Sequence, residues 1–546
     1  MSGLKPIDDV AEGCGIRREE LELYGRYKAK IDLGILKRTE NNKNGKLICV
    51  TAITPTPYGE GKTTTAIGLS MALNRDSRSI VTLRQPSMGP TFGIKGGATG
   101  GGISQVLPSD EINMHFTGDI HACSIAQNLL VAMIDNHIKQ GNELQIDPFS
   151  ITANRVVDIE DRMLRNMVTG LGGRANGHPR EARFDISVAS ETMAILALAK
   201  DLGDLRARLG RMVVAFDESK KPITAENVKA AGAMAAILKD AAKPNLVQTT
   251  ENTPALIHAG PFANVAHGNS SIIADRIALK VSDYVVTESG FGSDNGFVKF
   301  CDIKCRYGGF KPDSAVIVAT LRALKHHGIG RKTTVEELNA ENMDALEKGL
   351  GNLTKHIENV HIYGVPAIVA INRFSKDSEG ELEYVRKRAK ELGAEDCVIS
   401  DPYSKGSAGC EELAKAVKDR RADFRFLYPP EMSIEKKIDT IARRIYGADG
   451  VEYTPEAVRK IKKFEDLGWG VLPINVAKTH LSLSDDSSKL GRPENFVVTV
   501  RDIRASVGAG FLYPLMGSIE TMPGLPKHPN AEGIDIDENG NITGLF

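Results

Sequence analysis

The sequence predicts an α/β protein: one large domain on a mainly parallel sheet with helices on both faces, then two smaller α/β (α+β) domains. Three observations carry this. Short runs that are apolar throughout alternate with helical stretches, the pattern of strands buried on both faces. A turn bearing glycine and lysine joins the first of those strands to a helix. Beyond about residue 370 the texture changes to a charged helical stretch, and from Leu472 onward to strand and turn.

In chain order, Lys46 to Thr54 (KLICVTAIT) reads as a strand rich in β-branched residues, and Gly61 to Leu73 as a helix with Ile67, Met71 and Leu73 for packing. Strand-like runs follow at Ile80 to Leu83, Met212 to Phe216, Tyr284 to Thr287, Ala315 to Thr320 and Ala367 to Ile371. Helices are expected over Ser124 to Lys139 and Ala225 to Asp240. After them come a helix over Glu379 to Leu392, a strand over Cys397 to Ser400, and C-terminal strands in FVVTVRDI and GFLYPLMGSI. This places domains at residues 1–365, 366–455 and 456–546. In open α/β sheets the carboxyl ends of the strands form the ligand crevice, so Arg84, Asp217, Glu288 with Ser289, and Asn372 with Arg373 are the first places to look for chemistry.

The segment TPTPYGEGKTTTAIGL, Thr54 to Leu69, lies between that first strand and helix. It resembles a phosphate-gripping loop of the pattern G-x-x-x-x-G-K-[ST] with Thr56 in place of the first glycine, and the large domain is read as P-loop NTPase-like. Gly59 and Gly61 would let backbone N–H groups turn toward phosphate oxygens, with Lys62 as a point charge and the Thr63 hydroxyl for Mg²⁺. Arg84 precedes a glycine-rich stretch, GIKGGATGGG, that also holds Lys95; its planar fork suits carboxylate or phosphate.

Other polar clusters carry less. His115, Asp119 and His121 in HFTGDIHA have a spacing that could suit a metal, but no third strong ligand is evident, and such groups more often tie a loop to a core. His258 and His267 invite a proton-transfer role, while their spacing supports only a structural polar loop. No G-x-S-x-G elbow, H-E-x-x-H or paired-cysteine framework occurs; the seven cysteines are expected as reduced thiols. With 69 Lys plus Arg against 70 Asp plus Glu, the net charge of −1 leaves no footprint for nucleic acid or an anionic membrane. No apolar run is long enough for a membrane span and the N-terminus lacks the apolar core of a signal peptide, so a cytoplasmic protein is expected.

The variant TPTPYGEGKTTT resembles the corresponding segment of formate–tetrahydrofolate ligases, and the likeness extends in order across nearly the whole chain. LRQPSMGPTFGIKGGATGGG, HFTGDIHA, RVVDIEDRMLR, GPFANVAHGNSS, DYVVTESGFGSD, AINRF, AKTHLSLSDD, VGAGFLYPLMGSIETMPGLP and the closing NGNITGLF all look like that family's blocks. The resemblance implies ATP-dependent ligation of formate to tetrahydrofolate through formyl phosphate, giving 10-formyltetrahydrofolate, ADP and phosphate in one-carbon metabolism. It implies Lys62 and Arg84 as the catalytic pair, and Thr56, Pro57, Tyr58, Gly59, Glu60, Gly61, Lys62, Thr63 and Thr64 around the nucleotide, with Thr63 toward Mg²⁺. A flat ring, adenine or pterin, would be held by Asn372 and Phe374 and by the YSKG block with Tyr403, Lys405 and Gly406, where Tyr403 stands at a position usually taken by tryptophan. Gln85 and Ser375 are further departures, from LREP and from a proline. A monovalent cation (K⁺ or NH₄⁺) and a homotetramer are implied by the resemblance alone. Two alternatives stay open: a nucleotide-switch P-loop ATPase, and an acyl-phosphate ligase with a different acceptor.

Overall fold

The computed structural model describes residues 3–517 and 519–545, the side chain of Lys95 excepted. Its main sheet has twelve strands: β1 (Leu21–Leu23), β2 (Ala29–Ile31), β3 (Lys46–Ala52), β4 (Ser79–Leu83), β5 (Gly100–Gly101), β6 (Ser104–Leu107), β7 (Asn245–Thr249), β8 (Pro254–Ile257), β9 (Tyr284–Glu288), β10 (Ser314–Ala319), β11 (Ala367–Asn372) and β12 (Asp396–Ser400). From β8 the order runs β4, β9, β3, β10, β11, β12, every neighbouring pair parallel. An antiparallel extension, β7 with β8, β2 and β6, completes the other side.

The central strands are apolar throughout because both faces are covered. Leu47 and Cys49 of β3 enter one hydrophobic core, while Ile48, Val50 and Ala52 enter the other, the two-residue period of a strand. Helix α1 (Lys62–Leu73) belongs to the second core and is buried from Thr64 to Leu73. Its small residues serve close approach. A methyl group on Gly68 would lie 2.7 Å from Pro402 Cβ and 2.9 Å from Cys410 Sγ, so the segment after β12 rests directly on α1.

Two expectations are corrected. Val213–Phe216 does not join the parallel sheet but pairs antiparallel with Pro222–Thr224 in a separate two-stranded sheet. The chain reverses between them, with Lys220 at φ 66° and the Asp217 carboxylate accepting from Lys221 N–H, so the nearest partner is local and Asp217 lies off the main sheet's edge. The helix expected over Ala225 to Asp240 is shorter, Ala231–Ile237. Before it, Asn227 Oδ1 accepts from Thr224 N–H and Lys229 has φ 60°, a turn that competes with helix. The chain also crosses residue 366 without leaving the sheet, since β11 pairs with β10 and β12 with β11. A three-stranded sheet of Gly450–Tyr453, Val497–Ser506 and Phe511–Met516 forms toward the C-terminus.

Candidate active site

The carboxyl ends of the parallel strands bring the candidate residues onto one edge. In spatial order these are Arg84 after β4, Glu288 ending β9, the Thr56–Thr63 loop after β3, Asn372 and Phe374 at β11, and Tyr403 after β12; Arg322, which the sequence did not single out, follows β10.

The loop is built by its own side chains. Thr56 answers for the missing glycine: its backbone N–H and hydroxyl donate to Glu60 Oε1 at 2.7 and 3.0 Å, and its oxygen accepts from Tyr58 N–H at 3.3 Å. Burial pushes the Glu60 carboxyl up from its usual range, opposed by those donors and by Lys62. Gly59 and Gly61 have φ 74° and 71°, the left-handed region that glycine enters without strain. At Gly61 there is also no room, because Asn372 Nδ2 would lie 2.1 Å from an added methyl. That amide donates to the Glu60 carbonyl at 3.0 Å, clamping the loop from β11, while Asn372 Oδ1 is buried with no hydrogen-bond partner among the described residues. Pro57 is exposed and Tyr58 half-buried, its hydroxyl donating to the Thr333 carbonyl.

Below the loop, Thr54 is fixed by three buried side chains. His327 Nε2 lies 2.8 Å from the Thr54 carbonyl, Asn352 donates to Thr54 Oγ1 at 2.9 Å, and His356 Nε2 lies 3.0 Å from the same hydroxyl. Burial lowers the pKa of His327 to about 4 and of His356 to about 3, so both are neutral.

At the head of α1, Lys62 Nζ is 3.5 Å from Glu288 Oε1, and Thr63 Oγ1 donates to Glu288 Oε2 at 3.0 Å. Thr64 is buried, its hydroxyl oxygen 3.9 Å from the position of a methyl on Gly101. Arg84 donates to the Pro261 carbonyl at 3.2 Å, which occupies only part of its fork. Burial lowers its pKa, with the Glu288 carboxylate opposing. Gly290 keeps the space beside it open: a methyl there would lie 3.3 Å from Arg84 Nη2.

The ring candidates differ in surroundings. Tyr403 is 58% exposed, and its ring would be 3.2 Å from a methyl placed on Gly101. The glycine stretch therefore backs one side of the ring, and Ile103 N–H anchors the Tyr403 carbonyl at 2.8 Å. Phe374 is half-buried with the Arg322 guanidinium 4.4 Å from its ring centroid. Lys405 is exposed, 3.8 Å from Asp401. Gly406, at φ 56°, leaves room for Glu251 Oε1, which accepts from Ser407 N–H. The side chain of Lys95 lies outside the described residues.

Asp119 ties its helix to the sheet through Lys30 at 2.7 Å and Asn245 at 2.7 Å, and His258 is held by Ser271 and the Ala241 carbonyl, so both serve structure. Among the described residues no group of three or more His, Cys, Asp or Glu could hold a metal ion. A cavity of about 350 Å³ among Glu191, Phe216, Trp469 and Arg504 contains none of the residues on the strand edge. Sequence reasoning flagged Glu288 only as a strand-ending polar group and missed its link to Lys62 and Thr63; His327, Asn352 and His356 gave no signal.

The formate–tetrahydrofolate ligase family model matches residues 1–546 of the chain. A formate–tetrahydrofolate ligase from Desulforamulus reducens is 56% identical over 550 residues, covering 99% of this chain and 97% of the relative.

Proposed function

The chain belongs to the formate–tetrahydrofolate ligase family, and from that premise we propose how its residues divide the work. The activity is ATP-dependent ligation of formate to tetrahydrofolate. A carboxylate resists amines until one oxygen becomes a good leaving group, which sets the order of events. A formate oxygen attacks the γ-phosphorus of ATP, ADP departs, and formyl phosphate is held in the crevice away from water. N10 of tetrahydrofolate then attacks the formyl carbon, the C–O bond to phosphate breaks, and the amine loses its proton. 10-Formyltetrahydrofolate and phosphate leave.

Lys62 neutralises the transferring phosphoryl group, and the N–H groups of the Gly59–Thr63 turn surround the phosphates. Thr63 would help to hold Mg²⁺, which would supply positive charge to the phosphate oxygens. The open part of the Arg84 fork takes two oxygens of the acyl phosphate. Asn372, Phe374 and Tyr403, with Lys405 and Gly406 shaping the last loop, hold a flat ring, adenine or pterin. The observation that carries this reading is the convergence of Lys62 and Arg84 on the carboxyl ends of β3 and β4, the two parallel strands that flank β9, with an exposed aromatic platform on the same edge.

A monovalent cation, a homotetramer and a cytoplasmic location belong to the same proposal. So do the P-loop NTPase-like character of the sheet and the three-part division of the chain, the 366–455 part supplying the ring-binding residues. Phosphate release measured with formate and tetrahydrofolate omitted in turn tests the whole. Release that needs both substrates is expected. Equal ATP hydrolysis without formate would favour the nucleotide switch, and formate-dependent release indifferent to tetrahydrofolate would favour another acceptor.

A further inference from the structure

We propose that Glu288 is a ligand of the divalent cation that accompanies ATP, sharing it with Thr63, and that Lys62 holds this carboxylate when no nucleotide is bound. The inference rests on the nucleotide reading of the Thr56–Thr63 loop and adds a metal ligand from a distant part of the chain.

Glu288 ends β9, which flanks β3 in the sheet, so its side chain reaches the head of α1 from the neighbouring strand. It is only 7% exposed, and its two oxygens face Lys62 Nζ and Thr63 Oγ1. Arg84, on the strand at its other side, feels its charge as well. A buried carboxylate between the two cations that must receive phosphate is paradoxical in a site for an anion. Once Lys62 and Arg84 turn to phosphate oxygens, Glu288 would be left both unpaired and repelling its new neighbour. A divalent cation between carboxylate and phosphate resolves both problems.

The spacing suits such an ion. Mg²⁺ takes oxygen ligands at about 2.0–2.1 Å in near-octahedral geometry, which sets adjacent ligand oxygens roughly 2.9 Å apart. Thr63 Oγ1 and Glu288 Oε2 are 3.0 Å apart, joined by a hydrogen bond that the ion would replace. Two protein oxygens are what a phosphate-bound Mg²⁺ ordinarily uses, the remainder coming from phosphate and water. Asn269, next to this corner, has its Oδ1 buried with no hydrogen-bond partner among the described residues and its amide 3.5 Å from the Glu288 carbonyl, so the strand end is tethered through its backbone and its carboxylate stays available.

Titration calorimetry of ATP without formate or tetrahydrofolate, once with Mg²⁺ and once with EDTA, tests the assignment. The parent protein is expected to bind Mg²⁺-ATP at least about tenfold more tightly than ATP in EDTA, a difference of about 1.4 kcal/mol. In Glu288→Gln that ratio should fall to about two or below, while ATP in EDTA binds as well as before or better, because a competing anion has gone. Glu288→Asp, which keeps the charge on a shorter arm, should retain part of the ratio and guards against a misfolded amide variant. A Glu288→Gln protein that keeps the parent's ratio, or a parent with no ratio to lose, overturns the proposal. Lys62→Met in the EDTA arm separates the two levels. If it binds ATP like the parent, the nucleotide reading itself fails; if it binds weakly while Glu288→Gln keeps its metal dependence, only the metal ligand is wrong.

Discussion

Replacing Gly61 by alanine tests whether the loop geometry is what holds nucleotide. The position has φ 71°, where an L-residue costs roughly 1–2 kcal/mol. The new methyl would also lie 2.1 Å from Asn372 Nδ2, expelling the amide and breaking its 3.0 Å bond to the Glu60 carbonyl, a further loss of about 1 kcal/mol. The empty loop can escape this strain by abandoning its turn, so binding must restore the turn against about 2–3 kcal/mol, a roughly 30- to 150-fold rise in Kd for ATP. Calorimetry with Mg²⁺-ATP reads the effect directly. The two causes separate in a double-mutant cycle: with Asn372→Ala already present the clash is absent, and Gly61→Ala should cost about 1 kcal/mol less. Affinity within threefold of the parent for Gly61→Ala, or an identical loss in both backgrounds, would refute the clamp.

Arg84→Lys should lower turnover at saturating ATP and formate by more than about threefold, or ~0.7 kcal/mol, because a point charge cannot make two parallel bonds to an acyl phosphate. A smaller loss removes Arg84 from the catalytic pair. Tyr403→Ala should weaken ATP or tetrahydrofolate by about 1–2 kcal/mol with little change in Tm, since a ring 58% exposed contributes little to the core. Unchanged affinity for both ligands with a large drop in Tm would make the residue structural. His327 and His356 are neutral beneath the loop, with pKa values lowered to about 4 and about 3. Between those values and about 6.5 the unfolded chain binds more protons, so their contribution is full above pH ~6.5 and is lost as pH falls, each with a slope of up to about 1.4 kcal/mol per unit. Melting temperatures from pH 7.5 down to pH 4.5 should fall accordingly, and less steeply in a His356→Gln variant; equal slopes in the two proteins would contradict the assignment.

What the sequence made legible follows from range. β3 and α1 could be read because a β-branched apolar run, two glycines and a lysine lie within one short stretch, and local propensity agrees with the final packing. Val213–Phe216 is as apolar as the sheet strands, but apolarity says only that a strand is covered; the turn at Asp217–Lys221 decided its partner. The clamp on Gly61 comes from Asn372, the support of Thr54 from residues near 327 and 356, and the grip on Thr63 from Glu288. Each joins segments far apart in the chain, and such pairings become visible only once parallel strands place their ends side by side. Tyr403 was legible as a ring candidate through resemblance, while its backing by Gly101 and Gly102 required the fold.

The central claim is that formate is activated as an acyl phosphate at the Lys62 and Arg84 edge, and the fate of one oxygen tests it most directly. Formate carrying ¹⁸O in both positions is turned over with unlabelled ATP and tetrahydrofolate, and the phosphate released is examined by mass spectrometry. If formate attacks phosphorus and the amine later displaces phosphate, each product phosphate contains one ¹⁸O and the formyl group keeps the other. Phosphate free of label, with the lost oxygen in water, would mean that no formyl phosphate forms and would contradict the account.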